Sequence, residues 1–212
     1  MNNAMQAKKV TGKVRQKNKA LIFQAAKKEF VAHGYKGTSI KRIAEIAQIP
    51  RANIHYYFTD KADLYRQLLN EILDLWNTHY DTLDANALPK KALSDYIRSK
   101  VMFSKNDPDA SRIFASEIIH GAPLLKGYLD SDFKKWVQNK VVVIEGWIQK
   151  GQIDAINPYH LLFMIWGATQ HYADFNVQVL SAMNTSSLTA LDYEAIVKSL
   201  TAIILKGCGI KN

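Results

Sequence analysis

The sequence predicts an all-α protein of about nine helices, in which a small head of three helices precedes a larger helical bundle. Apolar residues recur three and four positions apart along most of the 212 residues, which is the spacing of one helix face. No segment alternates convincingly between apolar and polar residues, as a half-buried strand would. A hydrophobic share of 48% and a charged share of 22% are typical of a folded globular protein, and the chain is long enough for more than one domain.

Positive charge is concentrated in the first third of the chain. Residues 1–66 contain 14 Lys and Arg against four Asp and Glu, whereas the remaining 146 residues contain 14 against 15. We therefore expect a flexible basic arm at 1–16, a basic head at 17–66 and a near-neutral domain at 67–212. Such a head predicts binding to a polyanion, either nucleic acid or an anionic membrane surface.

The first two helices of the head are separated by a glycine and a threonine. Helix 1 is expected to end at His33, because Gly34 suits the left-handed position that follows a helix. Thr38 is predicted to cap the N-terminus of helix 2. The apolar face of helix 2 consists of Ile40, Ile43, Ala44 and Ala47.

The third helix combines a narrow apolar face with several groups that can form hydrogen bonds. It is predicted to begin at Pro50 or Arg51, since proline is favoured in a first helical turn, and to run to about Tyr57. Ile54 and Phe58 are four residues apart and anchor it. Two short helices joined by a tight turn, the second with exposed polar groups, are typical of a helix-turn-helix.

Helix 4 is predicted to start after Thr59 or Asp60, either of which can cap it. Its apolar side consists of Leu64, Leu68, Ile72, Leu75 and Trp76. Beyond it, prolines, glycines and a Ser/Thr-rich stretch divide the chain into further helical segments. These segments are expected at about 89–105, 109–120, 124–150, 158–180 and 190–206.

The run GYKGTSIKRIAEIAQIPRANIHYYFTDKADLY, from Gly34 to Tyr65, resembles the DNA-binding signature of the TetR family of transcriptional repressors. The resemblance covers about residues 17–66 and implies that Thr38 and Lys61 bind phosphates, with Lys41 also at the DNA. It further implies that helix 3 reads bases with Arg51, Ala52, Asn53, His55, Tyr56 and Tyr57. Arginine can bond guanine bidentately and asparagine adenine. Pro50 replaces the serine cap usual in the family, and His55 stands where tyrosine is common.

Three of these assignments have structural alternatives. Tyr57 also suits packing against helix 1, because tyrosine is often half-buried. Lys41 and Arg42 also suit a solvated charged helix face. The three helices together also suit an ordinary three-helix bundle, although the charge asymmetry favours DNA binding.

The C-terminal part resembles the same family in architecture, and several segments resemble its pyrimidine-responsive members, above all HLLFMIWGATQHYADF at His160 to Phe175. The resemblance implies a homodimer formed through the last two long helices, a near-palindromic double-stranded DNA operator and a small effector such as uracil or thymine. A flat ring with alternating donors and acceptors suits an amide beside an aromatic plate. The candidate effector-binding residues are Trp76, Phe163, Trp166, Thr169 and Gln170.

The same aromatic stripe also suits a protein core or a dimer interface, and the effector could be another small apolar or aromatic molecule. His171 and Asp174 are three residues apart, so they could pair with each other or form hydrogen bonds across a dimer. Their role stays open from the sequence.

Enzyme and membrane classes fit poorly. Glu117 and His120 have the spacing of a di-iron helix, but no second such pair occurs. We find no glycine-rich phosphate loop, nucleophile elbow or cysteine–histidine zinc spacing, so we expect no enzyme, cofactor or metal. A membrane-surface head would need a wider apolar face, and no run approaches the roughly 20 apolar residues of a membrane span. A single cysteine, Cys208, and the absence of a secretory leader predict a cytoplasmic location.

Overall fold

The computed structural model describes residues 2–79, 83–84 and 86–210, with side chains described from residue 14 onward except at 77–79. This part of the chain is all-helical, as predicted, and contains eleven α-helices and one π-helical turn. The N-terminal helices are α1 (Asn2–Gly37), α2 (Ile40–Ala47), α3 (Arg51–Tyr57) and α4 (Lys61–His79). The others are α5 (Pro89–Asn106), α6 (Pro108–Ile119), α7 (Lys126–Tyr128), the π-helical turn (Leu129–Phe133), α8 (Lys134–Gln149), α9 (Pro158–Asp174), α10 (Asn176–Ala182) and α11 (Ala190–Gly207).

The first helix begins earlier than expected. Residues 2–16, for which the sequence predicts a flexible arm, have helical backbone continuous with the rest of α1. Lysine, alanine, glutamine and arginine are good helix formers even without an apolar stripe. Gly34 has φ 65° and ψ 175°, so the regular part of α1 ends at His33, as predicted, before the chain resumes a last turn.

Two of the predicted C-terminal segments are interrupted. The segment at 124–150 contains the π-helical turn between α7 and α8, and that at 158–180 divides at Phe175, whose φ is −112°. The π turn adds one residue and shifts the apolar pattern by a single position, which is hard to distinguish by eye from the normal alternation between spacings of three and four residues. No helix of the described residues is both long enough and apolar enough to cross a membrane.

The contacts divide the chain into two units, residues 1–72 and 73–212, with the boundary inside α4. In the first unit α1 packs on α2 and α2 on α3, and the fully buried side chains include Ile22, Ile43, Leu64 and Leu68. In the second unit α5 packs against both α9 and α11. Its core is built around the buried rings of Trp147 and Tyr96.

Candidate nucleic-acid interface and effector cavity

The pair α2 and α3 has the geometry of a helix-turn-helix. Gln48, in the turn, has a left-handed φ of 55° and closes α2 through its backbone N–H. Ala44 and Ala47 are buried, and small side chains there allow a close approach of α3. Ile54 and Phe58 are almost completely buried, which confirms the predicted anchor of α3.

The opposite face of α3 is open to solvent. Arg51, Ala52, Asn53 and His55 are exposed, and Tyr56 is 72% exposed. This face thus presents a guanidinium, an amide, an imidazole and a phenol, all of which can form hydrogen bonds with base edges or phosphates. Helix α1 contributes to the same surface, because the Arg15 guanidinium lies 5.7 Å from the centroid of the Tyr56 ring.

Tyr57 lies between the exposed and buried faces. Its Oη accepts a hydrogen bond from Asn18 Nδ2 at 3.2 Å, and its ring lies 6.3 Å from that of Phe58. This hydrogen bond links α3 to α1, so Tyr57 has the packing role against helix 1 that was given as the alternative to DNA binding.

Thr38 does not cap α2. The cap is Ser39, whose Oγ accepts a hydrogen bond from the backbone N–H of Arg42 at 3.2 Å. Thr38 is only 2% exposed, and its hydroxyl proton faces the carbonyl oxygens of Glu29 and Gly34 at 3.0 and 2.9 Å. A phosphate needs a donated proton, so a phosphate contact by Thr38 would require its hydroxyl to leave these carbonyls, and the contact stays a prediction. The exposed hydroxyl of Ser39 is the better candidate.

The Lys61 side chain forms hydrogen bonds with the turn between α1 and α2. Its ammonium donates to the carbonyl oxygens of Tyr35 at 2.7 Å, Thr38 at 2.9 Å and Lys36 at 3.5 Å. It also lies 4.6 Å from the centroid of the Tyr35 ring. An ammonium has three protons, so a phosphate contact by Lys61 would require at least one of these bonds to break.

The two basic residues of α2 differ. Lys41 is highly exposed, and its Nζ lies 4.0 Å from Glu45 Oε1, so it is available for DNA. Arg42 instead pairs with the buried Glu29 at 3.2 Å and contacts His33 Nε2 at 2.8 Å. The Arg42 guanidinium therefore neutralises a buried carboxylate of α1.

Helix α4 begins with a capping pair. Asp60 Oδ1 accepts from the backbone N–H of Asp63 at 2.8 Å, and Asp63 Oδ2 accepts from that of Thr59 at 3.0 Å. The backbone N–H of Thr59 lowers the pKa of Asp63. Asp60 is therefore the cap, one of the two residues predicted for it.

The second unit contains a cavity of about 90 Å³ between its helices. The walls come from α4 to α9, the π-helical turn included. The lining residues are Leu73, Trp76, Tyr96, Lys100, Phe114, Tyr128, Phe133, Trp136, Trp166 and Gln170. Three predicted effector-binding residues, Trp76, Trp166 and Gln170, thus lie around one space.

The aromatic side chains around Trp166 in the cavity wall contact one another. Trp166 donates its indole N–H to Tyr96 Oη at 2.7 Å, which fixes the orientation of the ring. The ring centroids of Trp136 and Phe133 lie 6.1 and 5.8 Å from that of Trp166. Gln170, one helical turn beyond Trp166, brings an amide to this wall.

Two predicted effector-binding residues lie elsewhere. Phe163 is 53% exposed and lines an open surface depression with Tyr159 and Val137. Thr169 is completely buried, and its hydroxyl donates to the Ile165 carbonyl oxygen at 2.7 Å within α9. Neither residue lines the cavity, because the residues of one helix face spread over too wide an arc to reach one space, and their contact with an effector stays a prediction.

Lys100 on α5 is a cavity residue that the sequence analysis did not identify. It is 7% exposed, and its ammonium lies 4.5 Å from the centroid of the Trp76 ring. Burial lowers the pKa of Lys100 to about 8, and the Asp174 carboxylate offsets this only in part.

Asp174 and His171 do not pair directly. Ser111 donates its hydroxyl proton to Asp174 Oδ1 at 2.6 Å, and the His171 ring stacks on Phe175 with centroids 5.1 Å apart. Burial raises the pKa of Asp174, whereas the Ser111 hydroxyl and the nearby cations lower it. Asp174 therefore has an intrachain partner on α6.

Glu117 and His120 stabilise the turn after α6. Glu117 is buried, and its Oε1 accepts from the backbone N–H of Leu124 at 2.7 Å. His120 Nδ1 donates to the carbonyl oxygen of Ser116 at 2.7 Å. Both side chains thus have local structural roles.

Family comparisons agree with the two units. Residues 22–68 match the family described as bacterial regulatory proteins of the tetR family, and residues 69–211 match that described as the C-terminal region of YcdC-like proteins. The HTH-type transcriptional regulator RutR of Escherichia coli strain K12 is 38% identical over 205 residues, covering 95% of this chain and 96% of RutR. The chain belongs to the TetR family. It is a ligand-responsive transcriptional regulator of that family.

Solved structures with the same fold are more distant in sequence. The ketosteroid transcriptional regulator KstR2 of Mycobacterium tuberculosis has a TM-score of 0.73 at 19% identity, over 89% of this chain and 93% of that one. AibR, solved with isovaleryl coenzyme A and operator DNA, has a TM-score of 0.68 at 18% identity, over 88% and 97%. These likenesses support the TetR fold.

In this TetR-family chain, sequence reasoning missed Ser39, Arg15 and Lys100. Ser39 had a signal, since it also precedes the first apolar residue of α2. Arg15 lies in a stretch without apolar periodicity, so the sequence alone does not place it beside α3. Lys100 is one of several lysines on an amphipathic helix, and only packing distinguishes a buried lysine from a solvated one.

Proposed function

We propose that this TetR-family regulator is a homodimeric repressor that binds a near-palindromic operator and releases it when a pyrimidine, uracil or thymine, enters the cavity of the second unit. The location proposed is the cytoplasm. The observation that carries the effector assignment is the cavity with Trp76, Trp166 and Gln170 in its walls.

The size of the cavity favours a small ring. Its volume is about 90 Å³, and one water molecule needs about 10–15 Å³ of such space. The space therefore suits a single six-membered ring with two substituents better than a fused polycyclic molecule.

The chemistry of the walls favours a ring with both donors and acceptors. Gln170 supplies an amide that can donate and accept at the same time, which matches the alternating N–H and C=O groups of uracil. Indole rings such as those of Trp76 and Trp166 bind the faces of flat rings. The resemblance of the α9 segment to pyrimidine-responsive members of the family supports the same assignment.

Helix α4 offers a covalent connection between the cavity and the head. Its first residue, Lys61, forms hydrogen bonds with the α1–α2 turn. Leu73 and Trp76 on the same helix line the cavity. An effector that contacts Trp76 can thus bind one position of α4 better than another. Operator affinity then falls by the difference in effector affinity between the two states.

The test is operator binding by the purified protein with and without uracil or thymine, together with thermal unfolding. Stabilisation by the pyrimidine and release of operator DNA are expected, because a ligand that binds only the folded state raises the unfolding midpoint. In Gln170→Ala both responses should be lost while operator binding without effector persists.

The matched control is Gln149→Ala, which removes an exposed glutamine of α8 outside the cavity. This variant should respond like the wild type. DNA binding without any pyrimidine response would contradict the effector assignment and favour another small apolar or aromatic ligand. Loss of dimerisation in Gln170→Ala would instead assign Gln170 to the subunit interface.

A further inference from the structure

The cavity contains a buried cation without an anionic partner at contact distance. Within the described residues, the Lys100 ammonium forms neither an ion pair nor a hydrogen bond, and its defined contact is the face of Trp76 at 4.5 Å. A buried charge without such partners is costly. Residues of this kind are concentrated at functional sites.

Burial disfavours the charged form of Lys100 but does not bring its pKa below neutral pH. Burial lowers its pKa to about 8, and the Asp174 carboxylate, which accepts a hydrogen bond from the Ser111 hydroxyl, opposes this shift. The cavity wall therefore contains a buried basic group that can interact with an anion.

A second donor lies in the same wall. The indole N–H of Trp76 is buried and lacks a hydrogen-bond partner among the described residues. The cavity thus offers a cation and an unused donor, so it favours a ligand with oxygen acceptors and negative charge.

We propose that Lys100 selects the charge of the effector, an inference that rests on the proposed function. The cavity binds a flat ring in its anionic form, and a ring oxygen accepts a hydrogen bond from the Lys100 ammonium. For uracil, this means the form in which a ring N–H has lost its proton to solvent and the charge is shared with the neighbouring oxygen. A substituent that makes this N–H more acidic without enlarging the ring should then strengthen binding.

The experiment compares uracil with 5-fluorouracil by titration calorimetry at pH 7.5. Fluorine is close to hydrogen in size and withdraws electrons, so it increases the anionic fraction of the ring. In the wild type we expect 5-fluorouracil to bind about tenfold more tightly than uracil. In Lys100→Met, which keeps a long apolar side chain without the charge, the two rings should bind equally.

Lys105→Met is the matched control. Lys105 lies on the same helix with its ammonium 5.6 Å from the centroid of the Tyr193 ring, but it does not line the cavity. This variant should keep the preference for 5-fluorouracil. Operator binding without effector and thermal unfolding verify that each variant is folded.

The outcomes separate the two proposals. If the wild type binds uracil and 5-fluorouracil equally, or if Lys100→Met keeps the preference, the role of Lys100 is overturned and the pyrimidine assignment stands. If the wild type binds operator DNA but neither ring, both proposals are overturned. A preference present in the wild type and Lys105→Met and absent from Lys100→Met supports the role of Lys100.

Discussion

The two units of the chain use a lysine above an aromatic ring in opposite ways. In the head, the Lys61 ammonium lies 4.6 Å from the centroid of Tyr35 and donates to three backbone carbonyls. In the second unit, the Lys100 ammonium lies 4.5 Å from the centroid of Trp76 and has no such acceptors among the described residues. The aromatic contact is the same, and the hydrogen bonds differ.

A cation–π contact by itself therefore does not reveal what a lysine does. A lysine whose protons are bonded to the protein stabilises the fold, whereas a buried lysine with unused protons reduces stability and is available for a ligand. The following substitutions test this distinction, beginning with the one for which we expect the largest effect.

Lys100→Met should stabilise the protein by about 3 kcal/mol at pH 7. The folded state binds the Lys100 proton less tightly than the unfolded state, since its pKa falls from 10.5 to about 8. Between these pH values the unfolded chain therefore binds more protons, and wild-type stability rises with pH. Chemical unfolding of both proteins from pH 7 to 11 measures this effect.

The difference between the two proteins isolates Lys100. Burial raises the pKa values of Tyr193 and Cys208, and these groups lower stability with rising pH in the wild type and the variant alike. The stability difference should be largest at pH 7 and disappear near pH 10.5. A difference that is constant over this range would show that the charge of Lys100 is not the cause.

Lys61→Met should destabilise the head by about 2 kcal/mol, because carbonyl oxygens of the α1–α2 turn lose their donor. Unfolding followed by circular dichroism tests this, with operator affinity measured at several salt concentrations. If stability is unchanged and only the salt dependence of DNA binding falls, Lys61 is a phosphate ligand, as the family resemblance implies, and the comparison with Lys100 fails.

Arg51→Ala removes a cation that neither holds a backbone turn nor lines the cavity. Arg51 is exposed on α3, and no ion pair of its guanidinium is found among the described residues. We expect the affinity ratio of operator to unrelated DNA to fall about tenfold, with little change in stability. Competition binding measures the ratio. Arg66→Ala, an exposed arginine of α4 paired with Asp63, is the control that should leave it unchanged.

Lys41→Ala should have the smallest effect. Its ammonium is highly exposed and lies 4.0 Å from Glu45, so stability should change by less than about 0.5 kcal/mol. If Lys41 contacts a phosphate, the slope of log affinity against log salt should fall by about one. An unchanged slope would assign Lys41 to the solvated face of α2.

Local patterns in the sequence predict much of the head. Ile54 and Phe58 anchor α3 as expected, because a short amphipathic helix leaves few ways to bury its apolar face. The cap of α2 was misassigned, since Thr38 and Ser39 have equivalent capping chemistry and only the fold decides which of them is buried. Asp60 caps α4 as one of two expected residues.

The cavity is less predictable from the sequence. Trp166 and Gln170 were found because they are one turn apart on α9, whereas Phe163 and Thr169 share that helix but point elsewhere. The wall residues come from several helices, so their proximity depends on tertiary packing. The periodicity of a single helix does not indicate which residues of other helices lie near it. The sequence therefore did not predict Lys100 as a cavity residue.

The π-helical turn at Leu129–Phe133 has a consequence for how this regulator can change its specificity. Such a turn contains one residue more than an α-helical turn. Removing that residue would restore a continuous α-helix and rotate the preceding side chains by about 100°. Tyr128 precedes the turn, Phe133 ends it, and both line the cavity. A single codon gained or lost at this point could thus remodel the binding space without replacing any wall residue.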